Sequence, residues 1–176
     1  MRTLILLLGL TGGLWAGSAA GLQWTAPPGW KDRGSRPMRA STYIVSNAAG
    51  DHEAVECVVY FFGAGEGGSI EANLARWKGQ FRNPKGGQPE AQVRRRSVHG
   101  LPVTTIDISG LYSGMGGPMA APAPAKPDYR LLGAIIQGPG GNLFVKFAGP
   151  AHIIAANQQK FEQLLGSFEK SGNGHR

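Results

Sequence analysis

The glycine-rich run Gly63–Gly68 is the segment whose spacing most suggests ligand chemistry, because it fits the G-x-G-x-x-G pattern. It follows an apolar run and precedes a helical pattern, the setting in which backbone N–H groups and a helix N-terminus bind a pyrophosphate. The surrounding sequence opposes this interpretation: a polar stretch follows the helix, Glu90 has no strand to lie on, and Glu66 would face the phosphates. We therefore interpret the run as a turn.

The four histidines, His52, His99, His152 and His175, lie far apart in the sequence and form no local zinc motif. The only cysteine, Cys57, lies in an apolar run, which predicts a buried thiol; a reactive thiol is the alternative. No intrachain disulfide can form.

Met115 and Met119 flank Pro118 in a stretch rich in glycine, proline and alanine. Exposed thioethers can bind Cu(I) in exported proteins, although no histidine or cysteine accompanies them here. A flexible loop that contacts a partner is the preferred interpretation.

No nucleophile motif or local pair of carboxylates appears, so we expect a protein that is not an enzyme and needs no cofactor. Asp107 alternates with apolar residues and is expected to face solvent from a strand. An enzyme would need distant polar groups, such as His99 and Asp107, to converge.

The clearest basic cluster is Arg94-Arg95-Arg96. On a strand, Arg94 and Arg96 share one face. Such a strip either protects a sheet edge from aggregation or attracts an acidic partner, and the protective role is the preferred one.

The elements that must position these residues follow from the hydrophobic pattern. Strands are predicted at 22–25, 38–45, 54–62, 93–98, 103–112, 131–137 and 143–148. Ser69 caps a helix with apolar positions through Phe81, ended by Asn83-Pro84, and a last helix runs from Pro150 to Phe168. This order predicts an α+β domain with an antiparallel sheet.

The first 20 residues have the features of a cleavable signal peptide: Arg2, an apolar run from Leu4 to Leu10, and small residues before a cut between Ala20 and Gly21. We expect export to the periplasm or the extracellular space, with no transmembrane anchor after cleavage. One domain is predicted over 21–170, with a flexible loop at 111–128 and a disordered tail at 171–176. The formal net charge of +7 is explained first by solubility, and an acidic partner is the alternative. Nucleic acid is not expected because no binding module is recognisable.

Several stretches together resemble the PsbP-type fold. They are the early Pro27-Pro28-Gly29-Trp30 turn, the strand sequences from Leu101 and Tyr129, the Phe144–Pro150 segment and the closing helix. The segment Asn73–Phe81, with the pattern NLARWxxQF, resembles a group of uncharacterised exported bacterial proteins. The resemblance implies a central antiparallel sheet flanked by helices, an α/β/α sandwich, and a role in binding rather than catalysis.

The sequence therefore predicts an exported, non-enzymatic binding module that contacts a protein of the cell envelope. The candidate contact residues are Arg94, Arg96, Met115 and Met119. The alternative is a periplasmic carrier of a small ligand or a metal.

Overall fold

The computed structural model describes residues 17–45, 55–114 and 124–172. Met115, Met119 and the middle of the predicted 111–128 loop lie outside these ranges, as do most of the predicted signal peptide and the last four residues.

Antiparallel strands dominate the described part of the chain. They are β1 (Gly17–Ala19), β2 (Leu22–Trp24), β3 (Lys31–Asp32), β4 (Arg39–Val45), β5 (Val55–Tyr60), β6 (Phe81–Arg82), β7 (Glu90–Val98), β8 (Leu101–Tyr112), β9 (Lys126–Gly138), β10 (Gly141–Pro150) and β11 (Glu169–Lys170). The helices are α1 (Ile70–Lys78), α2 (Ala151–Ala156) and α3 (Gln158–Gly166).

The main sheet has the strand order β3-β4-β5-β10-β9-β8-β6, and β7 pairs with β8 beside β6. Every described pairing is antiparallel, and the long β8, β9 and β10 strands form its centre. A second, small sheet, β1-β2-β11, packs against it. The predicted α+β class and antiparallel sheet are confirmed.

Alternation along the strands divides the core into two layers. On one face, side chains such as Cys57, Val103 and Phe147 pack with α2, α3 and β2. On the other face, Ile106 and Ile135 pack with α1. We call these the α3 face and the α1 face.

The resemblance predicts a sheet covered by helices on both faces, but helices cover less of the sheet than expected. The nine residues of α1 extend about 13 Å at 1.5 Å per residue. The main sheet, at about 4.8 Å between strands, is roughly 30 Å wide. A single short helix therefore leaves much of the α1 face uncovered.

Both predicted helices end or break earlier than their apolar patterns suggest. The first helix ends at Lys78, and Gly79 caps it, so Phe81 lies in β6 instead of on the helix. The last helix is broken at Asn157, whose φ is −110°. The Asn157 side chain accepts a 3.4 Å hydrogen bond from Trp30 Nε1 and donates one of 3.0 Å to the carbonyl of Ile153.

Candidate functional site

The uncovered part of the α1 face forms an open cavity of about 400 Å³ between α1 and the β4–β5–β10 side of the sheet. We call it the aromatic groove. Its lining residues are Pro37, Met38, Arg39, Tyr60, Phe62, Arg76, Trp77, Phe144 and Lys146.

Stacked rings form the apolar part of the groove. The Tyr60 and Phe62 rings are 5.9 Å apart and nearly parallel, and the Phe144 ring lies 5.6 Å from that of Phe62. Trp77 is buried against β9, where Gly133 leaves room for its indole: a Cβ on Gly133 would lie 2.6 Å from Trp77 Cζ3. The groove therefore offers flat apolar surfaces to a ligand.

The glycine-rich run supports this aromatic wall. Gly63, Gly65, Gly67 and Gly68 all have positive φ. A Cβ on Gly67 would lie 2.6 Å from Phe144 Cε2, so that glycine permits the loop to lie on the ring. This geometry and the antiparallel sheet agree with the turn interpretation of the G-x-G-x-x-G pattern.

Helix α1 fixes the loop and orients a cation. Ser69 Oγ accepts a hydrogen bond from Ala72 N–H, as predicted for an N-cap. The buried Asn73 amide donates to the carbonyls of Gly67 and Ser69, both at 2.8 Å, and its Oδ1 accepts from Arg76 Nη2. Arg76 is thereby held at the groove wall.

Lys146 provides a second cation, on β10 within the groove. Its Nζ donates to Gln80 Oε1 at 2.7 Å and lies 5.8 Å from the centre of the Tyr112 ring. Burial and the nearby Arg76 charge lower the pKa of Lys146 to about 8. The Gln80 Nε2 atom is buried and has no hydrogen-bond partner among the described residues.

A third cation, Arg39, lies at the rim. Its guanidinium forms a 3.0 Å ion pair with Glu56 and lies 5.7 Å from the Tyr60 ring centre. Beside it, Met38 is 63% exposed and has a φ of 64°. An apolar side chain is thus exposed at the mouth of the groove.

The predicted contact residues Arg94 and Arg96 lie elsewhere, on the α3 face of β7. The β7 strand is exposed along most of its length and pairs only with β8 among the described residues. Arg96 forms a 2.5 Å ion pair with Glu162, and Arg94 donates to Gln92 at 3.1 Å. The structure does not bring these arginines to the groove.

Asp107 does not face solvent freely, contrary to the sequence expectation. It is half-buried and accepts two hydrogen bonds from Arg130, Nε to Oδ1 at 2.9 Å and Nη2 to Oδ2 at 2.6 Å. His99 lies in the β7–β8 turn with its Nδ1 atom 2.9 Å from the Phe168 carbonyl. Roughly 20 Å of strand separates this turn from Asp107, so the two do not converge.

Other residues singled out in the sequence occupy structural positions. Cys57 is fully buried, and burial raises the pKa of its thiol. Ala20 and Gly21 form the β1–β2 turn, where the Ala20 carbonyl accepts a hydrogen bond from Gly140 N–H at 2.9 Å.

Within the described ranges, no three His, Cys, Asp or Glu side chains are placed to bind a metal. No described helix has the length and apolar character to span a membrane.

Sequence reasoning missed the groove because its cations lie far apart in the chain. One signal was present: Val58, Tyr60 and Phe62 make the second face of β5 apolar, which predicts a covering layer. Since α1 is too short to cover that face, part of it remains open.

No known protein-family model matches the sequence, and no curated protein matches it. Among solved structures, the chain is similar to the solution structure of cyanobacterial PsbP (CyanoP) from Synechocystis sp. PCC 6803, with 15% identity and a TM-score of 0.50. That match covers 93% of this chain and 99% of the other. A protein of unknown function from Pseudomonas aeruginosa, PA94, described as a putative regulator, matches at 12% identity and a TM-score of 0.49 over 82% of this chain and 88% of its own. The chain has a PsbP-like fold.

Proposed function

We propose that this protein is an exported, non-enzymatic binding module and that the aromatic groove is its ligand-binding site. The observation that carries the proposal is an open cavity of about 400 Å³ walled by aromatic rings. Cavities of a few hundred Å³ with apolar linings and a few polar groups are typical small-molecule sites. This favours the small-ligand carrier over the protein-partner role.

The chemistry of the lining supports binding rather than catalysis. No Ser, Cys, His, Asp or Glu side chain belongs to the described lining of the groove. The polar groups present are cations and a phenol, which attract and orient an anion. Export is supported by the N-terminal sequence pattern.

Native mass spectrometry of the protein purified from its own host tests this function. We expect a retained small-molecule mass on the wild-type protein and its loss in Tyr60→Ala, because Tyr60 is part of the stacked wall. Val93→Ala is the matched control, since Val93 is an exposed apolar residue on β7 outside the groove. A wild-type protein that carries no mass and binds none of a panel of apolar compounds would overturn the proposal.

Binding of an envelope protein remains the second candidate function. The exposed edge of β7, with Arg94 and Arg96, supports it by offering unpaired backbone groups and positive charge to an acidic strand. Met115 and Met119, the other contact residues predicted from the sequence, lie outside the described residues. A photoreactive residue placed at Val93 should then give a crosslink to an acidic protein in the native compartment, and the absence of any adduct would count against this function.

A further inference from the structure

Lys146 has an unusual environment for a lysine. Its ammonium group is half-buried, lies against an aromatic groove, and has one described acceptor, the amide oxygen of Gln80. No carboxylate of the described residues forms an ion pair with it, whereas buried charges in proteins are ordinarily paired. An anion bound in the groove would provide Lys146 with such a partner.

Two neighbouring groups contribute to the polar part of the site. Arg76 is an exposed residue that lines the same groove, and its described hydrogen bond goes to an uncharged acceptor, Asn73 Oδ1. The Gln80 amide turns its oxygen toward Lys146, and its buried Nε2 donor has no partner among the described residues.

The groove combines cations with an apolar surface. Arg39 at the rim is already neutralised by Glu56, but Lys146 and Arg76 have no such partner among the described side chains. The rings of Phe62, Phe144 and Trp77 line the same groove, and the exposed Met38 lies at its mouth. A ligand that matches this arrangement carries one negative group on an apolar body.

From this juxtaposition we infer that the aromatic groove binds a small organic monocarboxylate, whose carboxylate lies between Lys146 and Arg76 and whose apolar body packs on the aromatic wall. Charge-assisted hydrogen bonds from an ammonium and a guanidinium hold the carboxylate. Gln80 is a positioning residue that fixes the direction of Lys146 Nζ. The inference rests on the proposed small-ligand function and adds the chemical class of the ligand.

Calorimetric titration with two matched pairs of probes tests the inference: 2-naphthoate against 2-naphthamide, and decanoate against decanol. The members of each pair have similar apolar bodies and differ in charge. We expect each acid to bind at least about tenfold more tightly than its neutral counterpart, which corresponds to about 1.4 kcal/mol.

The variant Lys146→Met keeps an unbranched apolar side chain and removes the charge. It should lower acid affinity about tenfold and leave neutral-probe affinity within about twofold. Lys170→Met is the matched control, since Lys170 is an exposed lysine on β11. Circular dichroism on both variants verifies folding, and Arg76→Gln gives a second test if Lys146→Met is unstable.

The outcomes separate the two proposals. Neutral probes that bind as tightly as the acids, with Lys146→Met affecting both alike, would overturn the carboxylate inference and leave the groove as an apolar site. A wild-type protein that binds none of the four probes, together with the absence of a retained mass, would overturn the ligand-binding function as well.

Discussion

At Gly133, the absence of a side chain determines how Trp77 packs and therefore the shape of the groove. A Cβ at this position would lie 2.6 Å from Trp77 Cζ3 and 2.9 Å from Ile106 Cγ2. Gly133 also pairs with Lys146 in the β9–β10 register, so the indole rests beside the strand position that bears the lysine.

Gly133→Ala should destabilise the protein by about 1–3 kcal/mol, because added atoms in a filled core force side chains out of position. It should also weaken ligand binding by moving Trp77. Chemical denaturation measures the loss of stability, and tryptophan fluorescence reports the effect on Trp77 and ligand binding. Gly166→Ala is the control: nothing lies within 4 Å of its added Cβ at the end of α3, so its stability should be unchanged or slightly higher. Equal destabilisation of the two variants would contradict this account of Gly133.

The pKa of Lys146, about 8, predicts how acid binding depends on pH. Below this pKa the ammonium is charged and attracts a carboxylate; above it the group becomes neutral and the attraction is lost. Acid affinity should therefore be roughly constant from pH 6 to 7 and fall at higher pH, by at most about tenfold per unit. Neutral probes should show no such decline.

The other charged groups around Lys146 are Arg76 on α1 and, at the rim, Arg39 on β4, which forms an ion pair with Glu56 on β5. Burial raises the pKa of Tyr60 on β5 and of Tyr112 on β8, so both phenols stay neutral until more alkaline pH. Titrations at pH 6, 7 and 9 with wild-type and Lys146→Met proteins verify the assignment, since a decline that persists in the variant would exclude Lys146 as its source.

At the scale of elements, the sequence predicted the strands well because local alternation determines which residues face each layer. Cys57 and Val59 face one core, and Tyr60 and Phe62 face the other, as the pattern indicates. The helix ends were less predictable. Gly79 caps α1 although apolar residues continue to Phe81, and Asn157 breaks the last helix through a contact with Trp30 that is 127 residues away.

The groove could not be predicted from the sequence for a related reason. It depends on the register of β4, β5 and β10 and on the short length of α1, and no local pattern encodes either. Arg39 faces Tyr60 through pairing of β4 with β5, and Tyr60 faces Phe144 through pairing of β5 with β10. Pairing between distant segments thus brings the lining together.

The exposed β7 edge predicts a test of whether its arginines protect the sheet. Along its outer edge, the nine-residue β7 has no partner strand among the described residues, so another copy of the chain can pair there. Arg94, Arg95 and Arg96 oppose such pairing by charge repulsion. Replacing all three by threonine should produce concentration-dependent self-association in sedimentation experiments. The unfolding free energy should change little, because the Arg96–Glu162 ion pair is exposed and such pairs contribute about 0–1 kcal/mol. A triple variant that stays monomeric would favour the partner-binding role of the strip instead.

At the scale of the whole molecule, the predicted cut between Ala20 and Gly21 falls in the β1–β2 turn, so cleavage would remove β1. The remaining N-terminal strand keeps other attachments. β2 pairs with β11, and the Trp24 ring stacks on Phe168 with centroids 4.9 Å apart. The loss of β1 uncovers Trp24 and Ser41, which lie against Gly17, but leaves the main sheet and the groove intact.

We therefore expect the protein recovered from its export compartment to begin at Gly21 and to fold with an intact groove. Intact mass determination establishes the first residue, and binding of the acid probes should agree within about twofold between the chain from Gly21 and the chain from Gly17. The thermal midpoint should be somewhat lower for the shorter chain, because three paired residues and their contact with Trp24 are missing. An exported protein that begins at or before Gly17 would retain β1 and would show that the predicted cleavage position is wrong. Recovery of the protein from the cytosol with Met1 attached would remove the basis for export.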